Sequence, residues 1–244
     1  MKKILIMGAS SGIGKRVAEE LASRGIIVGV AARNIKALLE LKKKYPQTIE
    51  TEEIDINEKD APERMHRLIN KMGGMDIYFH VSGIGYSNSD LEPEREVEII
   101  NTNACGFARM ISSAFRYFRE QEGKGSIVAV TSVAGTNGIG DMAAYSASKK
   151  FDQTYLVALE QLAREENLNI RFTDIRPGWV RTPLLSDEKE YPMEMTLDYV
   201  VPQIIRAIVK HPRVAVIDWR YNLLVGLWRM IPNSLWSRMS LTMK

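Results

Sequence analysis

The chain has 244 residues, of which 45% are hydrophobic and 26% are charged, and this composition is enough to bury the core of one α/β domain. Its formal net charge of +3 comes without a run of basic residues, which argues against a nucleic-acid partner. A single cysteine, Cys105, excludes an internal disulfide and gives no sign of an oxidising compartment.

The N-terminal residues combine two lysines with the apolar run 4–7, which imitates the start of a signal peptide. A signal peptide needs an apolar region of about 7–15 residues, so this run is better interpreted as a buried first strand. No apolar stretch approaches the roughly 18 residues of a membrane-spanning helix. We therefore expect a cytoplasmic protein.

Short β-branched runs alternate with longer helical patterns, which is typical of a parallel sheet built from βαβ units. The predicted strands cover residues 4–7, 26–31, 49–54, 76–81, 126–131, 170–175 and 214–217. The predicted helices cover residues 13–23, 35–45, 61–72, 94–118, 144–165 and 197–210. Because the strands are mostly apolar throughout, helices should cover both faces. The predicted fold is a single-domain, Rossmann-type, doubly wound parallel sheet of seven strands over residues 1–244.

The first strand runs directly into a glycine-rich turn where the first helix begins. Glycines let backbone N–H groups approach a pyrophosphate, which a helix N-terminus also attracts. The spacing is G-x-x-x-G-x-G and differs from the G-x-G-x-x-G of other dinucleotide folds, so a plain strand-to-helix turn is an alternative. The candidate phosphate-binding residues are Gly8, Ser10, Ser11, Gly12, Ile13 and Gly14.

The second strand is followed by Arg33 and carries no carboxylate at its end. An acidic residue there would bind an adenosine ribose 2′-hydroxyl and repel a 2′-phosphate, whereas an arginine can hold the phosphate with two parallel hydrogen bonds. A solvated residue at the start of a helix is the alternative interpretation of Arg33. We interpret this position as favouring NADP(H) over NAD(H).

A tyrosine and a lysine four residues apart open the helix after the fifth strand. Tyr145 and Lys149 share one helix face, and a nearby ammonium favours the phenolate form of a tyrosine, whose ordinary pKa is about 10. Ser132 lies at the end of the fifth strand, where its hydroxyl could hold a substrate oxygen. A Tyr/Lys pair at this spacing is common on ordinary helices, so alone it does not define a site.

Together these motifs resemble the short-chain dehydrogenase/reductase family, specifically its compact single-domain branch. The resemblance extends from Lys3 to about Thr182. Two places depart from the family pattern: Met7 stands where threonine is usual, and residues 80–83 read His-Val-Ser-Gly where Asn-Asn-Ala-Gly is usual. The supporting positions are the glycine motif, Asp55, Asn103, Ser132, Tyr145, Lys149 and Pro177-Gly178-Trp179-Val180-Arg181-Thr182.

The resemblance implies a catalytic set of four residues. Tyr145 would be the general acid in reduction and the general base in oxidation. Ser132 would orient the substrate oxygen, and Lys149 would hold the nicotinamide ribose. Asn103 would support a water chain that carries protons away from Lys149.

The resemblance also implies contacts with the rest of the nucleotide. Asp55 and Ile56 would touch the adenine, and Thr182 would touch the nicotinamide amide or a phosphate. The same family pattern adds Ser82, Gly83, Pro177, Gly178 and Val180 to the cofactor-binding residues.

The three histidines do not predict a metal site, because His66, His80 and His211 have no clustered Cys or carboxylate partners at ligand spacing. His80 is expected to be a core histidine whose hydrogen bonds are satisfied. The alternative is that it donates hydrogen bonds in place of the family's asparagine.

The C-terminal segment 218–244 is rich in tryptophan and basic residues. An apolar stripe at helical spacing predicts an amphipathic helix there, formed by Leu224, Leu227, Trp228 and Ile231. The helix would pack as a lid or against another subunit, or would lie peripherally in a membrane interface. A lipophilic substrate would suit either arrangement, since the residues expected to border the pocket are Met142, Trp179, Leu184 and Leu185.

The sequence thus predicts an NADP(H)-dependent oxidoreductase that transfers a hydride between the nicotinamide and a carbonyl or secondary alcohol carbon. The alternative is a non-catalytic, NADP(H)-binding regulatory or scaffold protein, against which the complete catalytic set argues. An epimerase or dehydratase is a second alternative, although such relatives generally have a longer C-terminal domain. By analogy with the family, a homodimer or homotetramer is expected.

Overall fold

Seven parallel strands form one sheet at the centre of the computed structural model, which describes residues 2–183, 185 and 191–239. The strands are β1 (Lys3–Met7), β2 (Ile27–Ala32), β3 (Ile49–Glu53), β4 (Ile77–His80), β5 (Lys124–Val130), β6 (Asn169–Arg176) and β7 (Val214–Val216). Their spatial order is β3-β2-β1-β4-β5-β6-β7. The chain therefore reverses its direction of winding between β1 and β4, and such a switch point forms a crevice at the carboxyl ends of the strands.

Nine α-helices connect and flank the strands in the described residues. They are α1 (Gly12–Ser23), α2 (Ile35–Lys44), α3 (Ala61–Met72), α4 (Pro93–Ile100), α5 (Phe107–Glu120), α6 (Ala143–Glu165), α7 (Leu197–Lys210), α8 (Trp219–Met230) and α9 (Asn233–Trp236). The helix predicted over residues 94–118 consists of α4 and α5, joined by a wider π-helical turn at Asn101–Gly106. The predicted seven-stranded, doubly wound fold is confirmed, with strand ends shifted by one or two residues.

Two hydrophobic clusters cover the two faces of the sheet. Side chains alternate along β1, so Ile4 and Ile6 pack with α1, α2, α7 and α8 on one face. Leu5 and Met7 pack with α3, α5 and α6 on the opposite face. This coverage explains why β1 is apolar from Ile4 to Met7 rather than alternating with polar residues.

No helix in the described part of the chain combines the length and the apolarity needed to cross a bilayer.

Candidate active site

A cavity of about 460 Å³ lies at the carboxyl edge of the sheet. Its walls come from the residues that follow the first six strands, as expected for a ligand crevice at a switch point. Every predicted site residue except Asn103 lines this cavity. The predicted residues that line it are Gly8, Ser10, Ser11, Gly12, Ile13, Gly14, Arg33, Asp55, Ile56, Ser82, Gly83, Ser132, Tyr145, Lys149, Pro177, Gly178, Val180 and Thr182.

Residues 8–14 form the turn after β1 and the first turn of α1, and we call this segment the glycine cradle. It has no room for side chains at Gly8 and Gly14. A Cβ on Gly8 would lie 2.6 Å from the backbone nitrogen of Ser82, and Gly8 also has a φ of +99°. A Cβ on Gly14 would lie 2.2 Å from the carbonyl oxygen of Gly8. Close packing of backbone on backbone therefore requires these glycines and leaves the cradle open on the cavity side.

The N-cap residue of α1 does not cap the helix with its side chain in the described structure. Ser11 occupies the N-cap position without a side-chain hydrogen bond, and the first turn of α1 contains no acidic residue. The first N–H groups of a helix need an acceptor, and the helix dipole favours an anion there. The cradle thus fits the diphosphate of a dinucleotide.

Arg33 lies exposed at the rim of the cavity, directly after β2. The start of α2 is capped by Asn34, whose Oδ1 accepts a hydrogen bond of 3.2 Å from the Ala37 backbone nitrogen. Asn34 therefore caps α2, and Arg33 lies beside this cap at the rim of the cavity. Asp55, at the same rim, accepts a hydrogen bond of 2.9 Å from the backbone nitrogen of Asn57.

Tyr145 is held on several sides in the first turn of α6. Gly85 lies against its ring so closely that a Cβ on this glycine would be 2.5 Å from Tyr145 Cδ2. Glu96 Oε2 accepts a hydrogen bond of 3.0 Å from the backbone nitrogen of Ala144 and so fixes the start of the helix. The Lys149 Nζ lies 5.9 Å from the centroid of the Tyr145 ring. Neither Gly85 nor Glu96 was identified from the sequence, since each acts through a contact distant along the chain.

Lys149 forms a buried ion pair that the sequence analysis did not identify. Its Nζ lies 3.0 Å from Asp152 Oδ2, and both side chains are buried. Burial opposes the charge of Lys149, but the Asp152 carboxylate and Tyr145 raise the pKa of this lysine above its ordinary value. Burial raises the pKa of Asp152 to about 6, although Lys149 acts in the opposite direction. The signal was available, because a carboxylate three residues after a lysine shares its helix face.

Asn103 lies behind the cavity, in the π-helical turn between α4 and α5. Its Oδ1 accepts a hydrogen bond of 2.9 Å from the Ile84 backbone nitrogen, and its Nδ2 donates one of 2.7 Å to the Ile84 oxygen. The same Nδ2 donates to Ser148 Oγ at 3.2 Å. Asn103 therefore clamps the loop after β4 onto α6, beside Gly83 and Lys149.

Ser132 is positioned by a buried polar network at the end of β5. Its Oγ accepts a hydrogen bond of 3.1 Å from the backbone nitrogen of Ala134, and its carbonyl oxygen accepts one of 2.8 Å from Gln153 Nε2. The preceding Thr131 donates a hydrogen bond of 2.6 Å to Asp174. This network holds the strand end on which the Ser132 hydroxyl is presented to the cavity.

His80 is a buried histidine behind the loop 81–85. Its Nδ1 lies 2.9 Å from the Tyr78 hydroxyl, its ring packs edge-on against Phe107, and its buried Nε2 has no hydrogen-bond partner in the described structure. Burial, assisted by the nearby Lys149 charge, lowers the pKa of His80 to about 3, so the ring stays neutral. His80 is therefore a core histidine as expected, but it is not fully satisfied, because its Nε2 has no partner among the described residues.

The far end of the cavity is apolar. Met142, Trp179 and Leu185 line it as expected, while Leu184 lies outside the described residues. Met142 packs in a small cluster with Tyr145 and Trp179, and the Trp179 ring stacks on Tyr191 with centroids 4.2 Å apart. A substrate at this end would meet mainly carbon atoms next to the tyrosine hydroxyl.

The C-terminal helices pack on the loops that form this apolar end. The Tyr221 ring fills the space where a Cβ on Gly178 would stand, and its hydroxyl accepts a hydrogen bond of 3.1 Å from the Trp179 backbone nitrogen. Trp236 Nε1 donates to the Gly138 oxygen at 2.8 Å.

The predicted apolar stripe of the C-terminal segment is only partly correct. Leu224, Trp228 and Ile231 are partly buried, but Leu227 is exposed. The buried residues of α8 are Tyr221 and Val225, and at about 100° per residue Leu227 lies about 120° and 160° from them around the helix, outside the covered face. The helix α8 is thus apolar on both its covered face and its outward face.

No group of three or more His, Cys, Asp and Glu side chains in the described residues is arranged to hold a metal ion. Cys105 is exposed and not in a disulfide.

Comparisons with known proteins identify relatives over nearly the whole chain. A family model described as short chain dehydrogenase matches residues 2–192. An uncharacterized oxidoreductase of Myxococcus xanthus is 32% identical over 239 residues, covering 95% of this chain and 93% of the relative. A short-chain dehydrogenase of Sphingobium yanoikuyae in complex with NADPH has a TM-score of 0.78 and 22% identity, covering 98% and 96% of the two chains. A short-chain dehydrogenase/reductase of Burkholderia phymatum in complex with NAD has a TM-score of 0.83 and 18% identity, covering 93% and 92%.

Proposed function

The chain belongs to the short-chain dehydrogenase family and is an oxidoreductase; from this premise we propose that it uses NADP(H) to interconvert a lipophilic ketone and the corresponding secondary alcohol. One observation carries the proposal. Ser132, Tyr145 and Lys149 line the same cavity as the glycine cradle and Arg33. When bound, the nicotinamide nucleotide would supply or accept the hydride.

The side chains that line the cavity would each have a separate role in the reaction. In reduction, the Tyr145 hydroxyl donates its proton to the carbonyl oxygen, and in oxidation the phenolate takes the proton back. The Ser132 hydroxyl donates a hydrogen bond to the same oxygen and so orients it. The Lys149 ammonium, 5.9 Å from the centroid of the Tyr145 ring, would donate hydrogen bonds to the nicotinamide ribose. Asn103 holds the Ile84 backbone and with it the loop that packs on the Tyr145 ring.

Nucleotide binding would rest on the glycine cradle and the rim of the cavity. The start of α1, where the Ser11 side chain makes no cap, would hold the diphosphate, and Asp55 and Ile56 would border the adenine. Arg33 would hold a 2′-phosphate, because a guanidinium matches phosphate oxygens with paired hydrogen bonds and no acidic residue follows β2 to repel it.

The nucleotide preference can be tested by changing Arg33 to alanine. The loss of charge-assisted hydrogen bonds should weaken NADPH binding by about 10- to 100-fold and leave NADH binding nearly unchanged. Dissociation constants for both nucleotides can be measured by nicotinamide fluorescence. Lys36→Ala removes an exposed positive charge on α2 outside the cavity lining and serves as the matched control. Equal weakening of NADPH and NADH by Arg33→Ala would contradict the phosphate assignment.

The substrate class can be tested with a series of ketones of increasing chain length. Because Met142, Trp179 and Leu185 present apolar surface, each added methylene should raise kcat/KM by up to about fourfold until the cavity is filled. Turnover is followed as loss of the NADPH absorbance. A preference for small or charged carbonyl compounds would contradict the lipophilic assignment, and nucleotide binding without turnover of any ketone would favour a non-catalytic role.

The described part of the C-terminal segment, residues 218–239, would act as part of the same single domain and cover the substrate end of the cavity. The contacts of Tyr221 with Gly178 and of Trp236 with Gly138 support this role, since they tie α8 and α9 to the loops around the apolar wall.

A further inference from the structure

The outward face of α8 carries large apolar side chains that no described part of the chain covers. Trp219, Leu223, Leu227 and Met230 are 72%, 59%, 53% and 79% exposed. Their spacing of i, i+4, i+8 and i+11 puts them on one side of the helix, and we call these four residues the outer stripe. Leu235, on α9, adds further exposed apolar surface. A contiguous apolar surface of this kind marks an interaction site.

Basic residues accompany the outer stripe, and acidic residues do not. Residues 219–244 include Arg220, Arg229, Arg238 and Lys244 but no Asp or Glu, although the whole chain has 30 acidic residues. Arg220 is paired with the buried Asp218, at 2.6 Å, while Arg229 and Arg238 are exposed. The segment that carries the outer stripe is therefore both apolar and positively charged.

This charge pattern distinguishes between two partners that would cover the outer stripe, a second copy of the chain and a lipid surface. In a two-fold dimer through this face, the same patch of both copies would meet, bringing arginines together without a carboxylate in residues 219–244 to pair with them. An anionic lipid surface accepts the apolar side chains and attracts the arginines. Trp219 is the residue type that favours the boundary between lipid and water.

From these observations we infer that the outer stripe docks the protein on an anionic lipid surface, with α8 lying in the plane of the interface. The opposite face of α8 contacts the loops around the cavity, where the Trp228 oxygen accepts a hydrogen bond of 3.2 Å from Asn137 Nδ2. Docking would therefore hold the apolar end of the cavity close to the lipid. The inference concerns binding alone and does not depend on the proposed reaction.

Sedimentation of the full chain with vesicles tests the inference. The wild-type protein should bind vesicles of phosphatidylcholine and phosphatidylglycerol, and should bind pure phosphatidylcholine vesicles much more weakly. Leu223→Ser combined with Leu227→Ser should lower the partition coefficient by at least about tenfold, because two exposed leucines no longer enter the interface. Arg229→Gln combined with Arg238→Gln should lower it by about fivefold per arginine, and added salt should weaken wild-type binding in the same direction.

A matched control removes two exposed aliphatic side chains elsewhere. Leu39 on α2 and Val209 on α7 are 52% and 64% exposed, so Leu39→Ser combined with Val209→Ser should leave vesicle binding unchanged. Circular dichroism checks folding, and the arginine variant provides a second test should the serine variant fold poorly. Absence of wild-type binding to anionic vesicles, or equal binding by the wild type and the folded serine variant, would overturn the inference. A dimer in light scattering that the serine variant dissociates, without vesicle binding, would assign the outer stripe to a second copy instead.

Discussion

Tyr145→Phe is expected to lower kcat by about 10²- to 10⁴-fold, which is the loss that removal of a general acid typically produces. NADPH binding should stay within about twofold of the wild type. The reason for this separation is geometric. The Tyr145 ring packs against Gly85 and faces the Lys149 ammonium, and phenylalanine keeps both ring contacts. Only the hydroxyl that would exchange a proton with the substrate oxygen is removed.

The measurement compares turnover and nucleotide binding in the same preparations. The control is Tyr155→Phe, which removes a hydroxyl from a partly buried tyrosine of the same helix outside the cavity lining and should leave kcat unchanged. If Tyr145→Phe retained turnover within tenfold of the wild type, Tyr145 would not be the proton donor. If it lost NADPH binding and turnover together, its role would be in holding the nucleotide.

The fold was predictable because its signals are local and repeated. Apolar strands such as β1 and β4 alternate with amphipathic helices, and this alternation in the chain leads to a parallel sheet covered on both faces. The π-helical turn Asn101–Gly106 was not predictable, because it keeps nearly the same hydrophobic period as the α-helices on either side of it. The outward direction of Leu227 was also missed, since the domain covers only one face of a helix that is apolar on two.

The candidate site was predictable where its residues lie in one short segment or follow a family motif. The glycine cradle, Ser132, Tyr145 and Lys149 are of this kind, and the structure brings them to one cavity. The supporting contacts join distant parts of the chain: Glu96 reaches the start of α6 across 48 residues, and Asp174 receives a hydrogen bond from Thr131 across 43 residues. Such pairs depend on tertiary packing, which a single sequence does not reveal.

Asp152 gives the second large expected effect, because its carboxyl group is buried beside Lys149. Burial raises the pKa of Asp152 to about 6 from an ordinary value of 3.8; the Lys149 ammonium opposes the shift and the Asp174 carboxylate adds to it. The native state therefore binds this proton more tightly than the unfolded chain does. The stabilisation that comes from this tighter proton binding at Asp152 is fully present below about pH 4 and is lost as the pH rises to about 6. Lys149 keeps its own proton through this window, because its pKa is raised.

Asp152→Asn should remove this pH dependence, since an amide keeps an oxygen acceptor for the Lys149 Nζ but does not ionise. The free energy of urea unfolding of the wild type, minus that of the variant, should fall by about 3 kcal/mol between about pH 4 and pH 7, as a rise of the Asp152 pKa from 3.8 to about 6 implies. The exposed Asp90 provides the control, for which Asp90→Asn should show no comparable fall. A difference that stays flat with pH would mean that Lys149 stabilises the ionised carboxylate by as much as its burial costs, and one that rises with pH would mean that it does so by more. The pair would then contribute to folding at neutral pH rather than oppose it.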